Sequence, residues 1–266
     1  MKEIRLAYKI FKTLIKDNFQ YPDRVIVDSI AMLARCGLLL VLYAYVFKLK
    51  GGTVNGVTFP LVAWSMFFYF ALMTLSMRKL TQAIMADVKS GNIEVLLSKP
   101  ISYLSYRIWW QIGEGFYSFA LITLVGGAVM GYIIGFPPTM QSPLFAMTLI
   151  ATLVLGTVLM SFLYGIIGLC AFWIEDASPI LWLVDKAVMV LGGSFLPIAL
   201  FPTLMYQIAI WSPFGSSQLV THTVYVSWQS SWYQLMSIQV FWIFILGVIA
   251  VLMFNRAQKQ VSVNGG

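Results

Sequence analysis

LFAMTLIATLVLGTVLMSFLYGIIGLCAF, residues 144–172, contains no charged side chain in a run longer than a bilayer requires. About twenty apolar residues cross a hydrocarbon core, so the surplus predicts a helix that is tilted or extends past the core. Five further apolar stretches flank it, at Ile26–Phe47, Phe59–Ser76, Ile108–Ile134, Ile180–Phe201 and Trp232–Phe254. The expected fold is an all-α integral membrane protein of six transmembrane helices, one membrane domain over residues 1–266. Composition agrees: 60% of residues are hydrophobic and 10% charged, with a mean hydropathy of +0.84. Soluble domains carry roughly 25% charged residues. Lipid solvates the apolar faces, provided each helix satisfies its own backbone.

Charge placement tests the layout independently. Fourteen of the 17 Lys and Arg fall on one side if there are six spans. The other side holds Lys48 and Lys50, and Arg35 lies within the first span. The positive-inside rule then puts both termini in the cytoplasm. The net charge of +7 therefore sets orientation, and no soluble basic patch exists to hold nucleic acid. Cys36 and Cys170 both sit in apolar segments and are expected as small buried hydrophobes rather than a disulfide framework.

The N-terminal residues lack the apolar region of a cleavable signal. Lys2, Arg5, Lys9, Lys12 and Lys16 recur every three or four positions, with Ile4, Tyr8, Phe11, Leu14 and Ile15 on another face. That period predicts an amphipathic helix over 1–22 in the headgroup plane, ended by Tyr21-Pro22-Asp23. Gly192, Gly193, Pro197 and Pro202 disfavour a continuous fifth helix. The following 201–231 segment is uncharged and rich in aromatics and proline, including Pro213. It is expected to re-enter the outer leaflet, with Tyr206, Trp211 and Trp228 at the interface.

The 77–107 connection between spans two and three carries RKLTQAIMADVKSGNIEVLLSKPISYLSYR from Arg78 to Arg107. Ile84, Val88, Val95, Leu96 and Leu97 are apolar among charged neighbours, so short amphipathic helices are expected. Ser90-Gly91 breaks them and Pro100 ends the second.

Ser90-Gly91-Asn92-Ile93-Glu94-Val95-Leu96-Leu97, followed by Lys99-Pro100-Ile101-Ser102, resembles the loop signature of type-2 ABC exporter permeases, closest to the daunorubicin-resistance-like branch. Gly192-Gly193-Ser194-Phe195-Leu196-Pro197, Phe201-Pro202 and Trp211-Ser212-Pro213-Phe214 are similar to the fifth span and re-entrant outer segment of those permeases. The resemblance covers essentially the whole chain. It implies the membrane subunit of an ATP-driven exporter in the bacterial inner membrane. Two permeases, copies or paralogues, would form the pathway. A separate ABC ATP-binding subunit would dock under each and bring ATP and Mg. Ser90, Gly91, Asn92, Ile93, Glu94, Leu96, Leu97 and Pro100 would form the coupling helix. The chain has no G-x-x-x-x-G-K-[ST] motif with which to cradle nucleotide phosphates, so no cofactor is expected on it.

Arg35 and Glu114 lie at comparable depth, where charge costs at least a few kcal/mol; they either pair or snorkel to the inner headgroups. Asp185 and Lys186 are expected as interfacial charges, and the lone His222 is assigned no role. Gly127, Gly131 and Gly135 recur every four residues, a spacing that suits either a dimer contact or packing within the chain. No acid–base, nucleophilic or metal-ligand constellation is present, so enzymatic activity is not expected. A polysaccharide or glycolipid ABC exporter shares the six-span plan. An ion-coupled secondary transporter would want midplane ionisable groups and internal repeats, and neither is evident.

Overall fold

The computed structural model describes residues 8–14, 16, 22–97 and 101–264, with the side chains of 22–26, 28 and 260–264 excepted. Eleven helices are labelled here in chain order. The first three are α1 (Pro22–Leu49), α2 (Phe59–Met73) and α3 (Arg78–Lys89), then α4 (Ile93–Leu97) and α5 (Tyr103–Leu121). After these come α6 (Gly127–Ile134), α7 (Pro143–Leu169), α8 (Ser178–Leu191), α9 (Thr203–Trp211), α10 (Pro213–Ser216) and α11 (Trp228–Asn264). A π-helical turn, Ile122–Gly126, joins α5 to α6. Five helical runs are long and apolar enough to cross a membrane: Ser29–Leu49, Phe59–Lys89, Tyr103–Ile134, Pro143–Phe172 and Trp228–Lys259.

Local chemistry explains the boundaries. Between α1 and α2, β1 (Thr53–Val54) pairs antiparallel with β2 (Val57–Thr58). Asn55 and Gly56 both adopt positive φ at the turn, as a two-residue hairpin of this hand requires. Ser142 caps α7 by accepting from the Leu144 N–H, and Pro143 stands where its missing N–H costs nothing. Gly135 ends α6 at φ +81°, and its carbonyl accepts from the Trp64 indole at 2.8 Å.

Helix α2 is apolar all round and buried from Val62 to Leu72, as a helix surrounded by protein must be. Its Phe67, Phe68 and Leu72 share one core with Leu159, Tyr164, Val188 and Val220. A second core, nearer the α3–α5 end, joins Leu80, Ile84, Ile93, Leu96, Tyr103, Leu169, Ala250 and Phe254. Leu38 and Val41 on α1, Tyr132 and Ile133 on α6, and Phe244 and Leu252 on α11 are exposed, an apolar exterior suited to lipid.

The second expected span is α2, which ends at Met73, near the expected Ser76. After a break at 74–77 comes α3, an amphipathic helix where a short one was expected, packed along α7 with Ile84 seated on Gly168. Arg78 and Lys79 at its start are both paired. The fifth expected span differs. The segment expected at Ile180–Phe201 is a helix of only 14 residues, about 21 Å at 1.5 Å per residue. Gly193 turns the chain away at φ +87°, followed by a 3-10 turn at Ile198–Leu200 and then α9.

Of Gly127, Gly131 and Gly135, the first two pack within the chain, and a Cβ on Gly135 would meet nothing within 4 Å. Gly131 houses the Phe136 ring, and a Cβ on Gly127 would meet Phe67 at 3.8 Å. Cys36 and Cys170 are free thiols. Much of the expected 1–22 helix lies outside the described residues; within it, 8–14 is helical. Leu14 there is buried against α5 at Gly113, and the Phe11 ring meets Phe116 at 5.1 Å.

Candidate functional site

The α3–α4 tip is a turn whose two halves have opposite tasks. Ser90, Gly91 and Asn92 are exposed, with Gly91 at φ +71° where a side chain would be strained. One turn of α4 follows, in which Ile93 and Leu96 are buried and Leu97 half-buried. Glu94 points outward, and Val95 is 64% exposed. Pro100 lies outside the described residues. An acidic residue beside an apolar one is thus presented on a platform held by two buried side chains.

A buried carboxylate fixes that platform. Asp87, 4% exposed, accepts from the Tyr103 hydroxyl at 2.6 Å and from Arg107 Nε at 2.7 Å. Arg107 Nη2 pairs with the same oxygen, Oδ2, and Asn92 Nδ2 donates to the other at 3.3 Å. Charge-assisted hydrogen bonds of this kind are the stronger ones. Asp87 thereby ties α3, the tip and the first turn of α5 into one body. None of Asp87, Tyr103 and Arg107 stood out in the sequence reading, yet a signal existed. Leu80, Ile84 and Asp87 fall on one helical face, so the carboxylate occupies a core position. Tyr103 and Arg107 are four apart and face it together.

A second charge cluster lies at the other end of α3. Arg78 Nη1 donates to Asp185 Oδ2 at 2.6 Å, and the Tyr164 hydroxyl donates to Asp185 Oδ1 at 2.7 Å. Three elements, α3, α7 and α8, therefore meet at one carboxylate, where an interfacial charge was expected. Lys186 is exposed and lies over the Trp182 ring at 5.8 Å. Glu114 does not meet Arg35: its carboxylate is 3.8 Å from Lys79 Nζ, and Arg35 is exposed on α1. In the connection after α7, Asp176 accepts from the hydroxyl and N–H of Ser178 and lies 3.8 Å from Lys89. The Ser178 hydroxyl, then its N–H, hold its carboxyl below the ordinary value.

The predicted gating residues border an irregular segment. Gly192 and Pro197 are buried and Pro202 is exposed, and Pro213 starts α10. From Gly215 to Tyr225 every residue is buried, although α-helix ends at Ser216. Neighbours satisfy its backbone: Ser65 Oγ donates to Thr221 O at 2.8 Å, Thr139 Oγ1 to Val224 O at 2.7 Å and Gln239 Nε2 to Ser216 O at 2.9 Å. Trp228 Nε1 donates to Thr148 Oγ1 at 2.9 Å and anchors its exit. The His222 ring lies 5.8 Å from that of Tyr206, tilted by 51°, and burial pushes its pKa down to about 4. Ser216 Oγ, Gln218 Oε1 and Gln239 Oε1 are buried without a partner. Among the described residues no group of His, Cys, Asp and Glu is arranged to hold a metal.

The family profile described as ABC-2 family transporter protein matches residues 33–265. The chain belongs to the ABC-2 transporter family. No curated protein is similar enough to this chain to count as a match. ABC-2 proteins are the transmembrane permease components of ABC transporters, and they generally work in lipid with an ATP-binding subunit. The match spans both charge clusters and the buried 215–225 segment, so these belong to the ABC-2 membrane domain itself.

Proposed function

We propose that this ABC-2 chain is the permease subunit of an ATP-driven exporter of the daunorubicin-resistance-like branch, moving a hydrophobic or amphipathic substrate outward. A separate ATPase, which brings ATP and Mg, docks on residues 84–100, and a second permease, copy or paralogue, completes the pathway. Both termini face the cytoplasm of a bacterial inner membrane. The chain crosses six times, with α8 and the 192–200 turns making the fifth crossing and 201–231 re-entering the outer leaflet.

One observation carries this reading: the tip exposes Ser90, Gly91, Asn92, Glu94 and Val95 while Ile93, Leu96 and the Asp87 cluster hold it rigid. A loop that only joined two spans would have no use for a buried ion pair at its base, since burying charge costs several kcal/mol before pairing returns it. A surface that must pass on force needs such stiffness.

The test is affinity purification of tagged chain from native membranes in mild detergent, with identification of what co-purifies and an ATPase assay. An ATP-binding subunit should accompany the chain and be lost with Glu94→Arg, an exposed substitution that leaves the core intact. Recovery of the chain without a nucleotide-binding protein, and without hydrolysis, would overturn the proposal.

A further inference from the structure

Span two is broken where the rest of the bundle is most continuous. At 74–77 the helix is interrupted, and Ser76 holds φ +52°, a conformation non-glycine residues adopt at a cost of order 1–3 kcal/mol. The Leu75 carbonyl leaves the helical ladder and accepts instead from Gln111 Nε2 at 3.0 Å. Helix α5 approaches the break so closely that a Cβ on Gly115 would lie 2.7 Å from Leu75 Cα. On one side of the break is α2, embedded in the core. On the other is α3, fastened to the tip and α5 by Asp87. A break between two rigid bodies is a hinge.

Next to the hinge sits the Arg78–Asp185–Tyr164 cluster, whose central carboxylate belongs to α8. Just past the end of α8, a Cβ on Gly192 would lie 2.6 Å from Gln218 Cγ. That glutamine is in the buried 215–225 segment, with its own oxygen unpartnered. The unmet hydrogen bonds of Gln218, Ser216 and Gln239 lower the cost of moving this segment, because leaving its present seat forfeits less than a fully satisfied one would.

We propose that Ser76 and the Arg78–Asp185–Tyr164 cluster form a hinge and latch that joins the cytoplasmic tip to the 215–225 segment. Latched, α8 is held against α3 and Gly192 seats Gln218. Unlatched, α3 swings about 74–77, α8 is released from it, and the segment leaves its seat. Arg78, Asp185 and Tyr164 are thus positioning residues. That ATP hydrolysis drives the swing rests on the proposed function; the hinge and latch do not.

The experiment uses the full chain alone in phosphatidylethanolamine–phosphatidylglycerol nanodiscs, where both faces are accessible and no ATPase is present. Its outcome is therefore separate from that of the purification test. Ser217→Cys is placed in a Cys36→Ala, Cys170→Ser background, and its maleimide labelling rate is measured. Ser217 is fully buried, so labelling reports the open population. Arg78→Gln should raise the rate at least about fivefold, the lower end of usual coupling between sites. Asp185→Asn should do the same, and the two together no more than either. The exchanged pair, Arg78→Asp with Asp185→Arg, should return the rate to within about twofold of the parent. Tyr164→Phe, which removes one hydroxyl, should raise it at least about twofold and serves if the charge variants do not fold. Ala250→Cys, equally buried in the second core, should stay unlabelled throughout. Unchanged labelling at Ser217→Cys, an equal rise at Ala250→Cys, or no recovery in the exchanged pair overturns the proposal.

Discussion

Replacing Asp87 with alanine should free the tip while leaving the bundle intact. The substitution removes the acceptor of the Tyr103 hydroxyl and of Asn92, and strands the Arg107 guanidinium without its counter-charge. Removing one partner of a buried ion pair costs about 3–5 kcal/mol. The Arg107 side chain retains 16% of its exposure, so water compensates part of the loss and the lower end applies, about 3 kcal/mol. At about 1.4 kcal/mol per tenfold, the opening equilibrium of the tip rises on the order of 100-fold. Hydrogen–deuterium exchange in nanodiscs reads this directly. Amides of 90–97 should exchange roughly 100-fold faster, since local opening sets their protection. Amides in the buried middle of α2 should not change. Tyr103→Phe deletes one hydrogen bond and should cost about 1 kcal/mol, a smaller acceleration of the same peptides. Exchange at 90–97 within about threefold of wild type, or uniform acceleration that includes α2, would refute the idea that Asp87 holds the tip.

Three other substitutions follow from particular contacts. Gly168→Val would drive a side chain into Ile84, whose atoms lie 2.8–2.9 Å from a Cβ there; thermal melting in detergent should show a loss of about 1–3 kcal/mol. Trp228→Phe forfeits the bond to Thr148 and should cost about 1 kcal/mol by the same assay. His222 is neutral in the fold because burial lowers its pKa from 6.5 to about 4. Its stabilising neutrality is complete above pH 6.5 and lost as pH falls from there toward 4, where the unfolded chain binds the proton first. Melting temperature should therefore fall across that window, and His222→Gln should flatten the decline.

Those contacts also mark how far the sequence could be read. The uncharged run at 144–172 and the charge asymmetry were enough for a polytopic helical membrane protein, because bilayer thickness and backbone satisfaction leave few alternatives. Gly91 as the tip's turn, and Gly192 and Gly193 as the end of a helix, were legible because glycine is needed where φ is positive or backbones approach. Charge partners were not. Glu114 meets Lys79 rather than Arg35, and Asp185 meets Arg78, 107 positions away. Helical depth alone cannot say which neighbouring helix faces which. The buried 215–225 segment was legible as unusual from its lack of charge, but not its partners, since Ser65, Thr139 and Gln239 come from three different elements.

The order in which those partners leave the ribosome has a consequence for assembly. Residues 215–225 are synthesised before Gln239, yet the Ser216 carbonyl needs it, as the Thr221 and Val224 carbonyls need Ser65 and Thr139. Until α11 is in place, the Ser216 carbonyl lacks a donor that lipid cannot supply, so the segment takes its final seat only once Gln239 arrives. A chain truncated before α11 would retain the other four long apolar helices and still leave that carbonyl unmet. The packing of this segment is thus a late step of assembly, set by the order of synthesis rather than by the segment's own sequence.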